Sequence, residues 1–241
     1  MKKNIIFLVL GLALMPVLAS AQSVNPKAYY TDIDGISQES DNIEDGQAPL
    51  TVTFRANPSN MDDYFPSYEW HFRKTGSSET DRDLFVRYEE DTEYTFTESG
   101  TYHVVLKTKL DQDGTELDSM TVNVTISQSF LEFPNAFSPN NDGTNDLYCA
   151  MGANDPSHPK RYKSIVEFRA IIFNRWGQKL YEWTDLDGGW DGKYNGHDVK
   201  DGVYFVQVIA KGADGKEYHI RKDVNLLRGY NSEGGNSGGK E

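Results

Sequence analysis

TYHVVLKTKLDQDGTELDSMTVNVTI, residues 101–126, alternates apolar and polar side chains with period two on both sides of a polar centre. Tyr102, Val104 and Leu106 fall on one face of the first run, and Val122, Val124 and Ile126 on one face of the second. In an extended chain successive side chains point to opposite faces, so each run presents one apolar face and one wet one. Asp113-Gly114 between them supplies the positive φ of a tight turn, and the stretch reads as a β-hairpin.

The same pattern recurs upstream. LTVTF places Val52 and Phe54 together, and YEWHF places Tyr68, Trp70 and Phe72 together. No segment carries a helical stripe. Four such faces suffice for a two-sheet core, so the front half is expected to be a small antiparallel sandwich of about seven strands. APLTVTF (Ala48–Phe54), YEWHF (Tyr68–Phe72) and YTFTESGTYHVVLKT (Tyr94–Thr108) resemble the polycystic-kidney-disease (PKD) repeat, an extracellular Ig-like sandwich, over roughly residues 26–127. That family follows its Trp with an Asp-Phe-Gly-Asp-Gly-like turn, where this chain has HFRKTG. The resemblance implies a binding or spacer module.

The back half is also β in pattern. VEFRAIIFNRWGQKLYEW reads as a strand, a turn over Asn174–Gly177, and a second strand carrying Leu180 and Trp183. Alternating runs then flank GADGK as another hairpin. Gly188, Gly189, Gly192, Gly196 and Gly202 punctuate the approach to Val203, as short connections with positive φ require. After Arg228, GYNSEGGNSGGKE lacks apolar content and is expected to be a flexible tail, residues 229–241.

FSPNNDGTND, Phe137–Asp146, admits three readings. The side-chain oxygens of Asn140, Asp142, Asn145 and Asp146 cluster around Gly143, and hard oxygen donors at such spacing can wrap Ca²⁺. Equally, Asn and Asp side chains can cap the local backbone while Gly143 supplies positive φ. The third reading is a surface read by another protein. WDGKYNG, Trp190–Gly196, has the composition of a sugar-binding face, but such a Trp more often closes a small β core while Asp191-Gly192 turns the chain. Trp70 reads as core by the same weighing. Trp176, within a turn, is the better exposed contact.

In order, PNAFSPNNDGTND, IFNRWGQKLYE, WDGKYNG, DGVYFVQV and VNLLR resemble the type B C-terminal sorting domain of type IX secretion cargo, also called the gliding-motility-associated C-terminal domain. The likeness runs from about Phe133 to Arg228. Asn141 stands where the family commonly has Gly, and 13 residues follow the Leu-Leu-Arg near which the family usually stops. The resemblance implies recognition by the type IX machinery through Phe137, Pro139, Asp142, Gly143, Asn145, Asp146, Asn174, Arg175, Trp176, Gly177, Trp190, Asp191 and Gly192.

Bulk properties narrow the setting. Lys2 and Lys3, the run IIFLVLGLALMPVLA and the triplet Ala19–Ala21 form a secretory signal pattern, with cleavage expected between Ala21 and Gln22. No later run is apolar enough to span a bilayer. The remaining chain has 22 basic and 37 acidic residues, a net charge of −15, which disfavours nucleic acid and anionic lipid as partners. Residues 22–128 carry a net −13 and residues 129–241 a net −2, so two domains with different surfaces are expected. A lone Cys149 precludes an internal disulfide and reads as a small buried apolar residue. The five histidines show no close metal-ligand spacing, and no nucleophile-and-base motif is present.

The expected organisation is therefore all-β: a signal peptide (1–21), an Ig-like PKD-type domain (22–128), a second Ig-like sandwich acting as sorting domain (129–228) and the tail. The expected function is that of a non-enzymatic exported protein at the cell surface or in the medium, adhesin-like or accessory, with a surface protein or glycan as ligand and no resident cofactor beyond the calcium considered above. Two rival readings are a docking subunit of the secretion or gliding apparatus and a carbohydrate-binding protein.

Overall fold

The computed structural model of the chain describes residues 21–61, 63–76, 82–110, 114–117, 119–153 and 160–229. These residues form strands, turns and loops, with no helix among them. The signal segment lies outside them, apart from Ala21, as does the tail beyond Gly229.

In the front half, one sheet orders its strands Asn42–Gly46, Met120–Ile126, Gly100–Lys109, Ser67–Lys74 and Phe85–Arg87. The other runs Ser37–Ser40, Lys27–Thr31, Leu50–Arg55 and Asp91–Phe96. The hairpin expected over residues 101–126 forms, with Tyr102 opposite Val124 and Val104 opposite Val122. Leu110 N donates to Thr115 O at 2.8 Å and Gly114 sits at φ +79°, while Asp113 lies outside the described residues.

All four alternating faces point inward. Val52, Phe54, Trp70, Val104, Leu106, Val122 and Val124 are fully buried. Phe54 meets Phe72 edge-on at 5.5 Å and lies 5.9 Å from Trp70, the tilted geometry that aromatic quadrupoles favour. Burying each such side chain contributes about 1.5–3 kcal/mol.

Two sheets of five and four strands exceed the seven expected from alternation. The additional edge strands Ser37–Ser40 and Asn42–Gly46 are polar, and only Ile43 and Gly46 among them are buried. Polar edges discourage pairing with other chains, and for the same reason give no apolar signal. Asn42–Gly46 pairs in parallel with the last strand of the unit, and the two sheets cover one core, an Ig-like arrangement.

The back half centres on a sheet ordered Ala136–Phe137, Glu217–Leu226, Gly202–Gly212, Ile165–Phe173 and Lys179–Trp183. Here too a short early strand, Ala136–Phe137, runs parallel to the last. The opposing layer is made of shorter pieces: the Phe130–Leu131/Tyr162–Lys163 ribbon, a single bridge between Tyr148 and Trp190, and the Lys193–Tyr194/His197–Asp198 hairpin. Tyr148, Ala170, Ile172, Trp190, Val208, Val224 and Leu226 fill the space between and are fully buried. Cys149 is buried as expected.

Three residues separate the last front strand from Phe130, and they are fastened down. Ser127 N donates to Gly46 O at 2.9 Å, and Ser129 Oγ donates to Asp214 Oδ1 at 2.7 Å and contacts Tyr218 Oη at 2.9 Å. Ser99 N donates to Ala213 O at 3.0 Å, and Ala213 is buried in the front core. Lys163 Nζ pairs with Asp45 Oδ2 at 2.8 Å, which, with the Ser127 hydroxyl, holds the Asp45 carboxyl below its ordinary pKa. The two cores therefore share a junction with its own polar contacts.

Candidate functional site

Asp146 organises the FSPNNDGTND loop. Its Oδ1 accepts from the amides of Asn140 (3.0 Å) and Asn141 (2.7 Å), and its Oδ2 accepts from Gly143 N at 2.8 Å. Asp142 Oδ1 accepts from Thr144 N at 2.9 Å, and Asn140 Oδ1 accepts from Asp142 N at 3.0 Å. Backbone amides that no strand satisfies must find other acceptors, and these short side chains supply them. These caps hold the loop through its own side chains. Among the described residues no three His, Cys, Asp or Glu side chains are grouped to hold a metal. Of the four oxygen-bearing residues, Asn140, Asp142 and Asp146 are linked by these caps, while Asn145 joins the loop through its backbone carbonyl, which accepts from Ser138 N at 2.9 Å.

Asn141 has φ +62° and Asn145 φ +53°. Asn tolerates the left-handed region better than most residues, so Asn141 can occupy a position where the resembled family commonly uses Gly.

The other motifs gather at the same end of the unit. Phe137 is buried and lies 5.4 Å from the Trp190 ring, while Tyr148 and Trp190 exchange backbone hydrogen bonds of 2.9 and 3.0 Å. Trp190 is fully enclosed and its Nε1 donates to Lys193 O at 2.8 Å, which makes it a core closure and not a sugar platform. Asp191 Oδ1 accepts from Lys193 N at 3.1 Å, fixing the turn after it. Asn174 Oδ1 accepts from Trp176 N and Gln178 N, both at 3.0 Å, so its side chain shapes the turn that carries Trp176. Gln178 Nε2 donates to Tyr194 Oη at 3.1 Å and ties that turn to the WDGKYNG hairpin. Trp176 is 81% exposed, and the Arg175 guanidinium lies 5.5 Å over its ring.

Two glycines correct the expectation that the whole series serves positive φ. Gly192, Gly196 and Gly202 do have positive φ, whereas Gly188 and Gly189 do not. Gly189 is required by proximity: a Cβ there would stand 2.9 Å from Tyr148 O and 3.0 Å from Cys149 Cβ, preventing the Tyr148–Trp190 bridge from closing.

Sequence reasoning missed Arg228 as the fastener of this end. Its Nη2 donates to Gly192 O at 2.8 Å, its Nη1 donates to Val199 O and to Asp201 Oδ1 (3.1 Å), and its backbone N donates to Asp201 Oδ2 at 2.9 Å. A planar guanidinium with five donors can bind several such acceptors at once, which lysine cannot. The only sequence signal was a lone Arg closing the final apolar run.

The location of this end follows from strand register. Ile165 pairs with Gly212 near the front unit, and Phe173 pairs with Phe205 at the other end of the same strand. Eight residues at about 3.3 Å each separate the two ends by about 26 Å. The clustered motifs therefore face away from the front unit.

Residues 131–221 match the model of the CHU_C type IX secretion signal domain. That span includes the loop organised by Asp146, the Trp176 turn and the WDGKYNG hairpin of the signal domain, and stops short of Arg228. No curated protein matches the chain. Matched solved structures include the crystal structure of chicken CNTN1 FN1–FN3 domains, 11% identical over 75% of this chain and 64% of that one, TM-score 0.27. Another is the Bacteroides ovatus mixed-linkage glucan utilization locus SGBP-B in complex with mixed-linkage heptasaccharide, 15% identical over 77% and 42%, TM-score 0.26. No helix among the described residues is long and apolar enough to cross a membrane.

Proposed function

We propose that this chain is exported cargo of a type IX secretion route, released from a signal peptide after Ala21, with the front unit (22–128) as the delivered binding or spacer module and residues 129–228 as the address. The observation that carries this reading is the gathering of the matched domain's polar loop, Trp176 turn and hairpin at the end about 26 Å from the front unit. A receptor can grip that end whatever module is attached behind it. The recognised surface comprises Trp176, Arg175 and the outer edge of the Asn140–Asp146 loop, while Phe137, Trp190, Gly192 and Arg228 hold those elements in place. The front unit, acidic and PKD-like, acts without catalysis at the cell surface or in the medium, in an adhesive or accessory role.

Export is tested with single variants of the whole chain, because a deletion of residues 129–241 would also strip the front unit of its Ala213 contact. Cells producing Trp176→Ala or Asp146→Ala are fractionated, and each purified variant is checked for folding by near-UV circular dichroism. Periplasmic retention of a folded Trp176→Ala protein is the expected result. Undiminished surface exposure of both variants would refute the address.

A further inference from the structure

Val203 (42%), Phe205 (41%) and Ile209 (41%) stand exposed on the outer face of Gly202–Gly212, the middle strand of the back sheet. Register places Phe173 beside Phe205 and Ile171 beside Gln207 on the neighbouring strand, both half-buried. These apolar side chains form one band on the face turned away from the back core, where an antiparallel sheet ordinarily presents polar residues to water. The matching face of the front unit's five-stranded sheet does so. Its middle strand, Gly100–Lys109, shows Thr101, His103, Val105 and Lys107 there, and His71 and Arg73 on the next strand hold Asp83 at 2.7 and 2.6 Å. The apolar band is therefore a property of the back unit and not of the sandwich as such.

Charge flanks the band in a checkerboard. On one side Asp223 lies beside Phe205 and Arg221 beside Gln207. On the other, Lys179 lies beside Phe173 and Glu182 beside Ile171. Among the described residues Arg221 and Asp223 form no ion pair. Glu182 already takes Arg169 and Lys179 at 2.7 and 2.9 Å. A second copy turned over about an axis across the strands, midway between those two rows, would set each Arg221 on the other's Asp223 and each Lys179 on the other's Glu182. The same rotation lays Ile209 on Val203 and Phe173 on Ile171. A shallow groove of about 300 Å³ lined by Phe205, Gln207, Arg221 and Asp223 lies where that axis passes. An axis along the strands also opposes unlike charges, but it lays Ile209 on Arg169 and brings both acidic front units to one end. The crosswise axis sends them to opposite ends and spares that repulsion.

We propose that the chain forms a two-fold dimer through this face, the two back sheets stacked about 10 Å apart with strands antiparallel and Phe205 near the centre. The band and its flanks span about 27 Å along the strands and four strands about 4.8 Å apart. With side chains that is a footprint of about 500 Å² per copy, and about 1,000 Å² hidden in all is the size of weak, reversible interfaces.

The test is sedimentation equilibrium of the whole chain without its signal segment, and it reads mass, so its failure leaves the export reading untouched. Between about 5 and 500 µM the chain should pass from monomer to dimer, with a dissociation constant on the order of 100 µM. Phe205→Lys should weaken the dimer at least about tenfold, and Ile209→Lys, nearer the end of the band, about threefold. Both positions face water in the monomer, and near-UV circular dichroism checks that each variant folds. Arg221→Glu should weaken association about fivefold, and adding Asp223→Arg should restore it, because the exchanged charges meet again across the crosswise axis. About an axis along the strands, both exchanged charges would meet like ones. A monomer at every concentration, which would leave the face to a different partner, would overturn the proposal. So would a dimer indifferent to both lysine variants, or a charge exchange that does not restore association.

Discussion

The two units turn similar strand patterns into different kinds of order. The front unit encloses Phe54, Trp70, Phe72 and Phe96 between two full sheets, so its shape follows from apolar burial. The back unit has one full sheet, and its opposing layer is loops and two-residue ribbons that meet at the Tyr148–Trp190 bridge. At its far end, shape is set by polar side chains that satisfy loop backbone: Asp146 takes three amides, Asn174 takes two, and Arg228 reaches two carbonyls and Asp201. Such a layer buries less apolar surface per residue, but it exposes a firm and specific outline. On the proposed address reading, a unit that is recognised gains from that trade, whereas the module attached behind it has no such need.

The largest expected effect breaks the front side of this contrast. Phe54→Ala removes a fully buried ring in contact with Trp70, Phe72 and Phe96, and should destabilise the front unit by about 3–5 kcal/mol. Urea unfolding followed by tryptophan fluorescence would report it through Trp70. The signal domain's loop amides should keep their hydrogen-exchange protection in the same variant. Loss of both together would mean that the units unfold as one and that the junction dominates.

Asp146→Ala comes next, and acts on the back side. Three amides lose their acceptor, but the loop is partly wet and water replaces some of the bonds, so about 1–3 kcal/mol is expected. Its signature is local: faster exchange at Asn140, Asn141 and Gly143 with the front core unmoved. Asp146→Asn keeps one acceptor oxygen and should fall between. If added calcium restored protection to the Asp146→Ala loop, the capping account of that loop would be replaced by the ion-binding one.

The contrast also explains what could be read from sequence. Alternation reports which face of a strand is buried, and Val52/Phe54, Tyr68/Trp70/Phe72, Tyr102/Val104/Leu106 and Val122/Val124/Ile126 all lie inside as their spacing indicates. It does not report which strand lies beside which. The parallel pairings of Asn42–Gly46 and Ala136–Phe137 with the last strand of their units were therefore illegible, as was the Ala213 contact across the junction. Turn chemistry was legible at Asn174–Gly177 and around Gly215, where local residues determine the backbone. Gly189 was misread because its constraint comes from Tyr148, 41 positions away, and no local pattern encodes a close approach of distant backbone. Arg228 escaped for the same reason, since its acceptors sit on two separate loops, one at Gly192 and one at Val199–Asp201.

A smaller effect tests the junction. The Asp45 carboxyl is held below its ordinary pKa by Lys163 and Ser127, so the folded state favours the charged form. The linked contribution is present above the unfolded carboxyl value and is lost as pH falls through the depressed folded value. Asp45 is largely exposed and screened, so the contribution is slight. Acid titration should loosen the junction, read as rising exchange at Ala48 N, before either core unfolds. Asp45→Asn should abolish that early step. An unchanged acid profile in the variant would show that Lys163 and Asp45 add nothing to the docking.

Trp176→Ala should have the least effect on folding and the sharpest consequence for recognition. The ring is 81% exposed and the turn is shaped by Asn174, so its removal should change stability by no more than about 0.5 kcal/mol. Exposed tryptophans are costly to keep in water, and they recur where a partner covers them. The address reading therefore requires this variant to be as stable as its parent and yet poorly exported, with Trp176→Phe recovering part of the export because it restores an apolar ring. Should the variant instead unfold, the turn is a structural element and the grip must lie elsewhere on that end. Should it fold and travel normally, the polar outline of the Asn140–Asp146 loop is left as the part that a receptor reads, and Asp142→Ala, which removes the cap on Thr144 and spares those on Asn140, Asn141 and Gly143, becomes the variant that separates shape from contact.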